Sequence, residues 1–293
     1  MGTSPQDVSV GFIGLGIMGE AMAGHLQAAG HPLHVSTRTK AKADRLLAKG
    51  ANWHDGPGKL AAASDVVITM VGYPSDVEEV YLGEAGLVPH AKAGAVLIDM
   101  TTSSPNLAVR IAAEGAKRGV AVLDAPVSGG DVGAREARLS IMVGGDAAAF
   151  ERVRTIFGTM GKTIMHQGGP GAGQHTKMAN QIVIASTIVG VCEGLAYAKK
   201  TGLDPAKVLE NIGGGAAGGF QLNVLGARML KGDFGPGFYV HHFIKDLGIA
   251  LDEAERHQIP LPGLAQAKGL FEKLAANGGR ELGTQGLFTL YAG

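Results

Sequence analysis

Lys177, Asn180 and Gln181 stand at the head of a run, Ile182 to Ala198, that is otherwise almost wholly apolar. In a helix, residues three and four apart share a face, so the lysine and the two amides would project together from its first turns. The plain reading is a polar helix end that meets solvent. The alternative is a set of side chains facing something they bind, and these three residues alone do not choose between the two.

A second set is Gly14, Gly16 and Gly19, in G-x-G-x-x-G spacing within GFIGLGIMGEAMAGHL. The spacing is weak evidence in a chain with 47 glycines. Here, however, it follows an apolar strand and opens a helix carrying Met18, Met22 and Leu26. In that setting glycines allow a tight turn and a close approach of the backbone to a pyrophosphate lying on the helix N-terminus, so dinucleotide binding is expected. An acid ending the second strand would hold the ribose hydroxyls of NAD. This chain offers Thr37, Arg38 and Thr39 there, with no acid before Asp44. A guanidinium flanked by hydroxyls suits a 2′-phosphate, so NADP is expected, with NAD possible.

The elements that must position these residues are legible as alternating runs. Strand-like segments at 8 to 14, 33 to 37, 65 to 71, 95 to 100 and 120 to 126 are separated by helix-like segments, which implies a parallel sheet covered by helices. The run at 139 to 145 adds a further strand. Past about residue 163 the strand signals stop and helical patterns run to the end. The expected fold is therefore a doubly wound α/β Rossmann-type domain, residues 1–163, followed by an all-α domain, residues 164–293, with GKTIMHQGGPGAG as the linker.

At 293 residues the chain is long enough for two domains, and its 26 basic and 26 acidic side chains balance. Nucleic acid and anionic membranes are poor partners for such a chain. Cys192, its only cysteine, lies in the apolar helix and reads as packing. No metal-ligand spacing is present, and the adjacent His241 and His242 read as packing or surface residues, so no metal is expected. The N-terminal stretch has no signal architecture, and Ser186, Thr187 and Glu193 argue for a buried rather than membrane-spanning long helix. A cytoplasmic protein is expected.

Three further segments then fall in order: DAPVSGGDVGA at 124 to 134, GAGQHTKMANQ at 171 to 181, and IKDLGIALDEA at 244 to 254. Together with FIGLGIMG they resemble the β-hydroxyacid dehydrogenase family, which includes 3-hydroxyisobutyrate dehydrogenases, tartronate semialdehyde reductases and, more distantly, 6-phosphogluconate dehydrogenases. The resemblance spans nearly the whole chain. It implies that Ser128, Gly129 and Gly130 form the loop holding a substrate carboxylate, that Lys177 is catalytic, and that Asn180 orients the substrate. It also implies cofactor contacts from Gly14, Gly16, Ile17, Met18 and Gly19 of the glycine-rich turn, from Val71 and Thr102 at strand ends, and from Lys245.

There are departures. Gln181 stands where many relatives have a second asparagine, as in tartronate semialdehyde reductase-like sequences, which places it in the substrate site and leaves the substrate open. Ala137 and Arg138 replace the Gly and Thr of a D-G-T-L segment. The expected activity is interconversion of a small β-hydroxyacid and its semialdehyde or ketone by direct hydride transfer, with Lys177 as general acid and base. An imine reductase is the rival within the same fold, and a non-catalytic dinucleotide-binding module the rival outside it. Retention of Lys177 argues against the first, and retention of Lys177 and of the Ser-Gly-Gly loop argues against the second. Relatives with such a helical domain tend to form homodimers or homotetramers, and one of these is expected here.

Overall fold

The computed structural model describes residues 7–291. Met1 to Gln6, part of the stretch read for targeting signals, lie outside the described residues. The chain divides into two compact units, Met1–Lys177 and Met178–Gly293.

The first unit is built on one sheet. Its strands are β1 (Val10–Ile13), β2 (Leu33–Ser36), β3 (Asn52–Trp53), β4 (Val66–Thr69), β5 (Val96–Asp99), β6 (Ala121–Asp124), β7 (Val127–Ser128), β8 (Leu139–Gly144) and β9 (Gly161–Gly168). Their order is β3-β2-β1-β4-β5-β6-β8-β7, with β9 also paired to β8. From β3 to β6 all pairings are parallel, whereas β8 runs antiparallel to β6 and β7. Strand order reverses between β1 and β4, and in such sheets ligands bind outside the carboxyl ends of the strands at that point.

The inner strands β1, β4 and β5 are buried along their whole length, because both faces of the sheet are covered there. Val66 and Ile68 of β4 join Phe12, Met22 and Leu26 in one core, while Val67 joins Leu60, Val77, Tyr81 and Ile111 in the other. Counting helices longer than one turn, the covering elements are α1 (Gly19–Ala28), α2 (Pro57–Ala63), α3 (Pro74–Leu82), α4 (Pro105–Ala116), α5 (Gly130–Arg135) and α6 (Ala147–Gly158). Helices α2, α3 and α4 each open on a proline, which loses nothing there because the first helical amide has no partner in the helix.

The segment read as a linker is not one. Gly161–Gly168 is β9, parallel to β8, so strand structure continues past residue 163 and the second part of the chain is not all helix from 164. Its alternation was masked by exposed polar positions, Lys162, Thr163 and Gln167, on the open side of an edge strand.

The second unit is helical. Helix α7 (Ala172–Lys200) begins in the first unit and continues into the second, followed by α8 (Pro205–Gly213), α9 (Val240–Arg256) and α10 (Pro262–Ala276). By length and composition α7 could cross a membrane. Its Ile188, Cys192 and Leu195 instead pack with Leu225, Leu247 and Phe271 in the core of this unit. Phe243 of α9 meets Phe271 of α10 edge-on, with ring centroids 4.9 Å apart. The buried stripe of α9 (Val240, Phe243, Leu247, Ala250, Ala254) follows helical spacing, yet it also takes in Asp246.

Candidate active site

The three glycines after β1 differ in what the fold asks of them. Gly14 has φ +94°, and a Cβ there would lie 2.2 Å from the carbonyl oxygen of Met70, so no other residue makes this turn. At Gly19 a Cβ would strike the Gly14 carbonyl oxygen at 1.9 Å. At Gly16 a Cβ would meet nothing within 4 Å, which leaves that backbone open to an approaching ligand. Ile17 is exposed, and Met18, half-buried, begins α1 with no side-chain hydrogen bond capping the helix. Uncapped first-turn amides beside an open glycine suit a pyrophosphate, so this turn fits the dinucleotide expected of it.

Beside it, the end of β2 carries Thr37, whose Oγ1 faces the Leu15 amide at 3.5 Å. The Arg38 side chain is 85% exposed, with Nη1 3.5 Å from Asp76 Oδ1. Thr39 leads into a short 3-10 turn, Lys40–Ala43. After β4, the Val71 amide donates to Thr101 Oγ1 at 3.0 Å, and Thr102 follows half-buried.

Below this rim lies a polar network that the residue patterns did not reveal. Strands β5 and β6 each end in a buried aspartate, Asp99 and Asp124, paired in register. Asp99 Oδ1 accepts from Thr69 Oγ1 at 2.8 Å and from the Thr101 amide at 3.1 Å. Thr69 has a single hydroxyl proton, so its 3.1 Å contact with Tyr81 is donated by the tyrosine. Asp124 Oδ1 accepts from the Gly171 amide and Oδ2 from the Gln174 amide, both at 2.8 Å. Burial pushes both carboxyls up to about 6, against the pull of their donors, and the Asp124 charge adds to the rise at Asp99. The side chain of Gln174, fully buried, donates to the Thr101 carbonyl at 2.7 Å and accepts from the Ser103 amide at 2.9 Å. The first turn of α7 is therefore tied to the ends of β5 and β6. Lys177, one turn further on, is buried. The one hint in the sequence was an aspartate closing each of two apolar runs, VLID and AVLD.

Ser128 ends β7, opposite Ser140 of β8. Gly129 (φ +128°) and Gly130 (φ +63°) then turn the chain into α5. Ala137 takes the left-handed φ of +51°, at the position where the resemblance expects glycine.

The second unit holds its own polar group. Asn180 Nδ2 donates to Gln181 Oε1 at 2.7 Å, and Gln181 Nε2 donates to Asp246 Oδ2 at 2.6 Å. Lys245 Nζ lies 3.0 Å from Asp246 Oδ1, in an ion pair whose angles fall short of a hydrogen bond. Asp246 lies within the IKDL segment. An acid in phase with Phe243, Leu247 and Ala250 was the signal that it is buried.

Comparison with known proteins agrees with this geometry. Residues 9–169 match the NAD-binding domain of 6-phosphogluconate dehydrogenase, and residues 171–291 match the NAD-binding family of NADP-dependent 3-hydroxyisobutyrate dehydrogenase. The chain is 56% identical over 283 residues to an uncharacterized oxidoreductase of Bacillus subtilis, covering 97% of this chain and 98% of that one. It is 46% identical over 275 residues to the 2-hydroxy-3-oxopropionate reductase of Escherichia coli, covering 94% of each. The solved structure of a Mycobacterium tuberculosis 3-hydroxyisobutyrate dehydrogenase with L-serine superposes with a TM-score of 0.89 at 30% identity, covering 98% and 99% of the two chains. With the glycine turn, the doubly wound sheet and both family matches spanning nearly its whole length, this chain belongs to the β-hydroxyacid dehydrogenase family of NAD(P)-dependent oxidoreductases.

Proposed function

We propose that this protein interconverts a small β-hydroxyacid and its semialdehyde or ketone, uses NADP in preference to NAD, and exchanges the proton of the reacting oxygen through Lys177. The observation that carries the reading is the buried Lys177 one turn beyond the point where Asp124 and Gln174 tie α7 to the sheet. A lysine held in this way loses little freedom on meeting a substrate, which favours a defined proton path over a solvated ammonium. The names of the E. coli and M. tuberculosis relatives support a short acid with its reacting oxygen on the third carbon.

The nicotinamide, when bound, supplies or accepts the hydride. The proton must move with it, and Lys177 Nζ holds and exchanges that proton at the substrate oxygen, while Asn180 orients the same oxygen. Asparagine and glutamine do not titrate usefully, which leaves the lysine for the proton. Ser128 Oγ and the amides around Gly129 and Gly130 donate to the carboxylate. Gly14, Gly16, Ile17, Met18 and Gly19 cradle the pyrophosphate, and Thr37, Arg38 and Thr39 take the 2′-phosphate. Val71, Thr102 and Lys245 complete the cofactor contacts.

The test is to follow nicotinamide absorbance with 3-hydroxyisobutyrate and 2-hydroxy-3-oxopropionate, each with NADP and with NAD, beside analogues lacking the carboxylate. Turnover confined to the acids and faster with NADP is expected. Equal rates for the carboxylate-free analogues, or no turnover of any acid, would overturn the reading.

A further inference from the structure

Asp246 is 1% exposed and Gln181 is fully buried, so water does not compete for the hydrogen bond between them. A carboxylate has no proton to give. Asp246 Oδ2 therefore obliges Gln181 to turn its Nε2 toward it, at 2.6 Å. Gln181 Oε1 must then face the other way, where it accepts from Asn180 Nδ2 at 2.7 Å. One carboxylate thus sets the direction of two successive amides, and leaves the second Nδ2 proton of Asn180 to donate to the substrate oxygen. The other oxygen of Asp246 is held 3.0 Å from Lys245 Nζ.

We propose that Asp246 is a positioning residue that acts through Gln181 to fix which end of the Asn180 amide meets the substrate, while its ion pair fixes Lys245. The proposal rests on the reading of Asn180 as the substrate-orienting amide. It also explains why glutamine serves at 181: its side chain both reaches the carboxylate and returns an acceptor to its neighbour.

In Asp246→Asn the partner of Gln181 can donate as well as accept, so neither amide direction is enforced. The expected result is a folded protein whose kcat falls about 10²-fold, the loss typical of a misplaced reacting group, with a smaller change in substrate KM. This variant also frees Lys245 from its ion pair, so a second one decides. The double variant Gln181→Glu with Asp246→Asn moves the carboxylate one step along the hydrogen-bonded series. The introduced glutamate accepts from both neighbours, Asn180 again presents Nδ2, and net charge is conserved. Recovery of kcat to within about tenfold of wild type is expected, because the amide direction is restored. No recovery in a double variant with wild-type thermal stability would overturn the proposal.

A second readout does not depend on turnover. The side-chain amide 15N–1H signals of Asn180, assigned by their loss in Asn180→Asp, should shift in Asp246→Asn and return in the double variant. Asn180 signals unmoved in Asp246→Asn would overturn the relay even with a working enzyme. Should wild type turn over no acid while these signals shift and return, the relay stands and the functional reading falls.

Discussion

Lys177 carries the heaviest claim of any single side chain. Lys177→Met keeps the length and apolar stem but cannot exchange a proton, so it should fold and bind NADP while losing roughly 10² to 10⁴-fold in kcat. The pH profile should lose the limb that belongs to the lysine. Near-normal kcat in that variant would mean that Lys177 does not exchange the proton of the reacting oxygen. Arg38 is the second such residue. Its guanidinium is exposed and meets Asp76 only loosely, at 3.5 Å, so it is available to an incoming phosphate. Removing it in Arg38→Ala should weaken NADP by about 1.5 to 3 kcal/mol, the range for a charged hydrogen bond, and leave NAD nearly unchanged. Equal losses in titrations of the two cofactors would take the phosphate away from Arg38. Both residues stand out as candidates because their type is out of place locally: a lysine heading an apolar run, an arginine where an acid would hold NAD. Asp124 does not, since nothing near it in the chain names its partners 47 and 50 residues on.

Among the elements, the junction of β7 and α5 is a second turn whose shape is set by glycine. Gly129 has φ +128°, a region that β-branched residues scarcely enter, and a Cβ there would already touch Leu139 at 3.4 Å. Gly129→Val must therefore move this loop. If the loop holds the substrate carboxylate, KM for acids should rise steeply while the cofactor Kd stays near wild type, because the glycine turn after β1 is a separate element. Loss of both affinities, with a fallen Tm, would instead give the loop a folding role alone. The start of α7 follows the same logic in reverse. GGPGAG reads as a linker, but the amides of its Gly171 and of Gln174 just after it are donors that Asp124 gathers. Glycine content reported the turn and not the acceptor waiting for it.

For the whole molecule, the buried pair Asp99 and Asp124 has a consequence for stability. Burial holds both carboxyls at about 6 in the folded chain, while unfolding returns them to the ordinary value near 4. Between those values the folded protein keeps protons that the unfolded chain has released. The contribution of these groups is then full below about pH 4 and is lost as pH rises through about 6. Measured against Asp99→Asn, which cannot titrate there, the wild type should lose on the order of 1 to 3 kcal/mol between pH 4 and pH 7, one pKa unit being worth 1.36 kcal/mol. Urea denaturation at several pH values reads this difference. A difference that stays constant, or grows with pH, would show that the Asp99 carboxyl is not raised in the folded state. The cost is borne at neutral pH by a pair that ties together the ends of inner strands and the start of the helix carrying Lys177.

By itself the sequence determined what local physics can determine. The apolar alternation marked β1, β2, β4, β5, β6 and β8 because a strand buried on both faces leaves a dense apolar run. The glycine spacing marked the turn because only glycine enters its geometry, and the helical period set Lys177, Asn180 and Gln181 on one helix. Tertiary structure decided what depends on neighbours far apart in the chain. It made a strand of β9, whose edge position tolerates polar residues, and it turned β8 antiparallel to β6. It set Asp99 beside Asp124, and it brought Asp246 to Gln181 across 65 residues. A hydrogen bond between distant residues exists only after strand order and helix packing have placed both ends, and no local pattern encodes that distance.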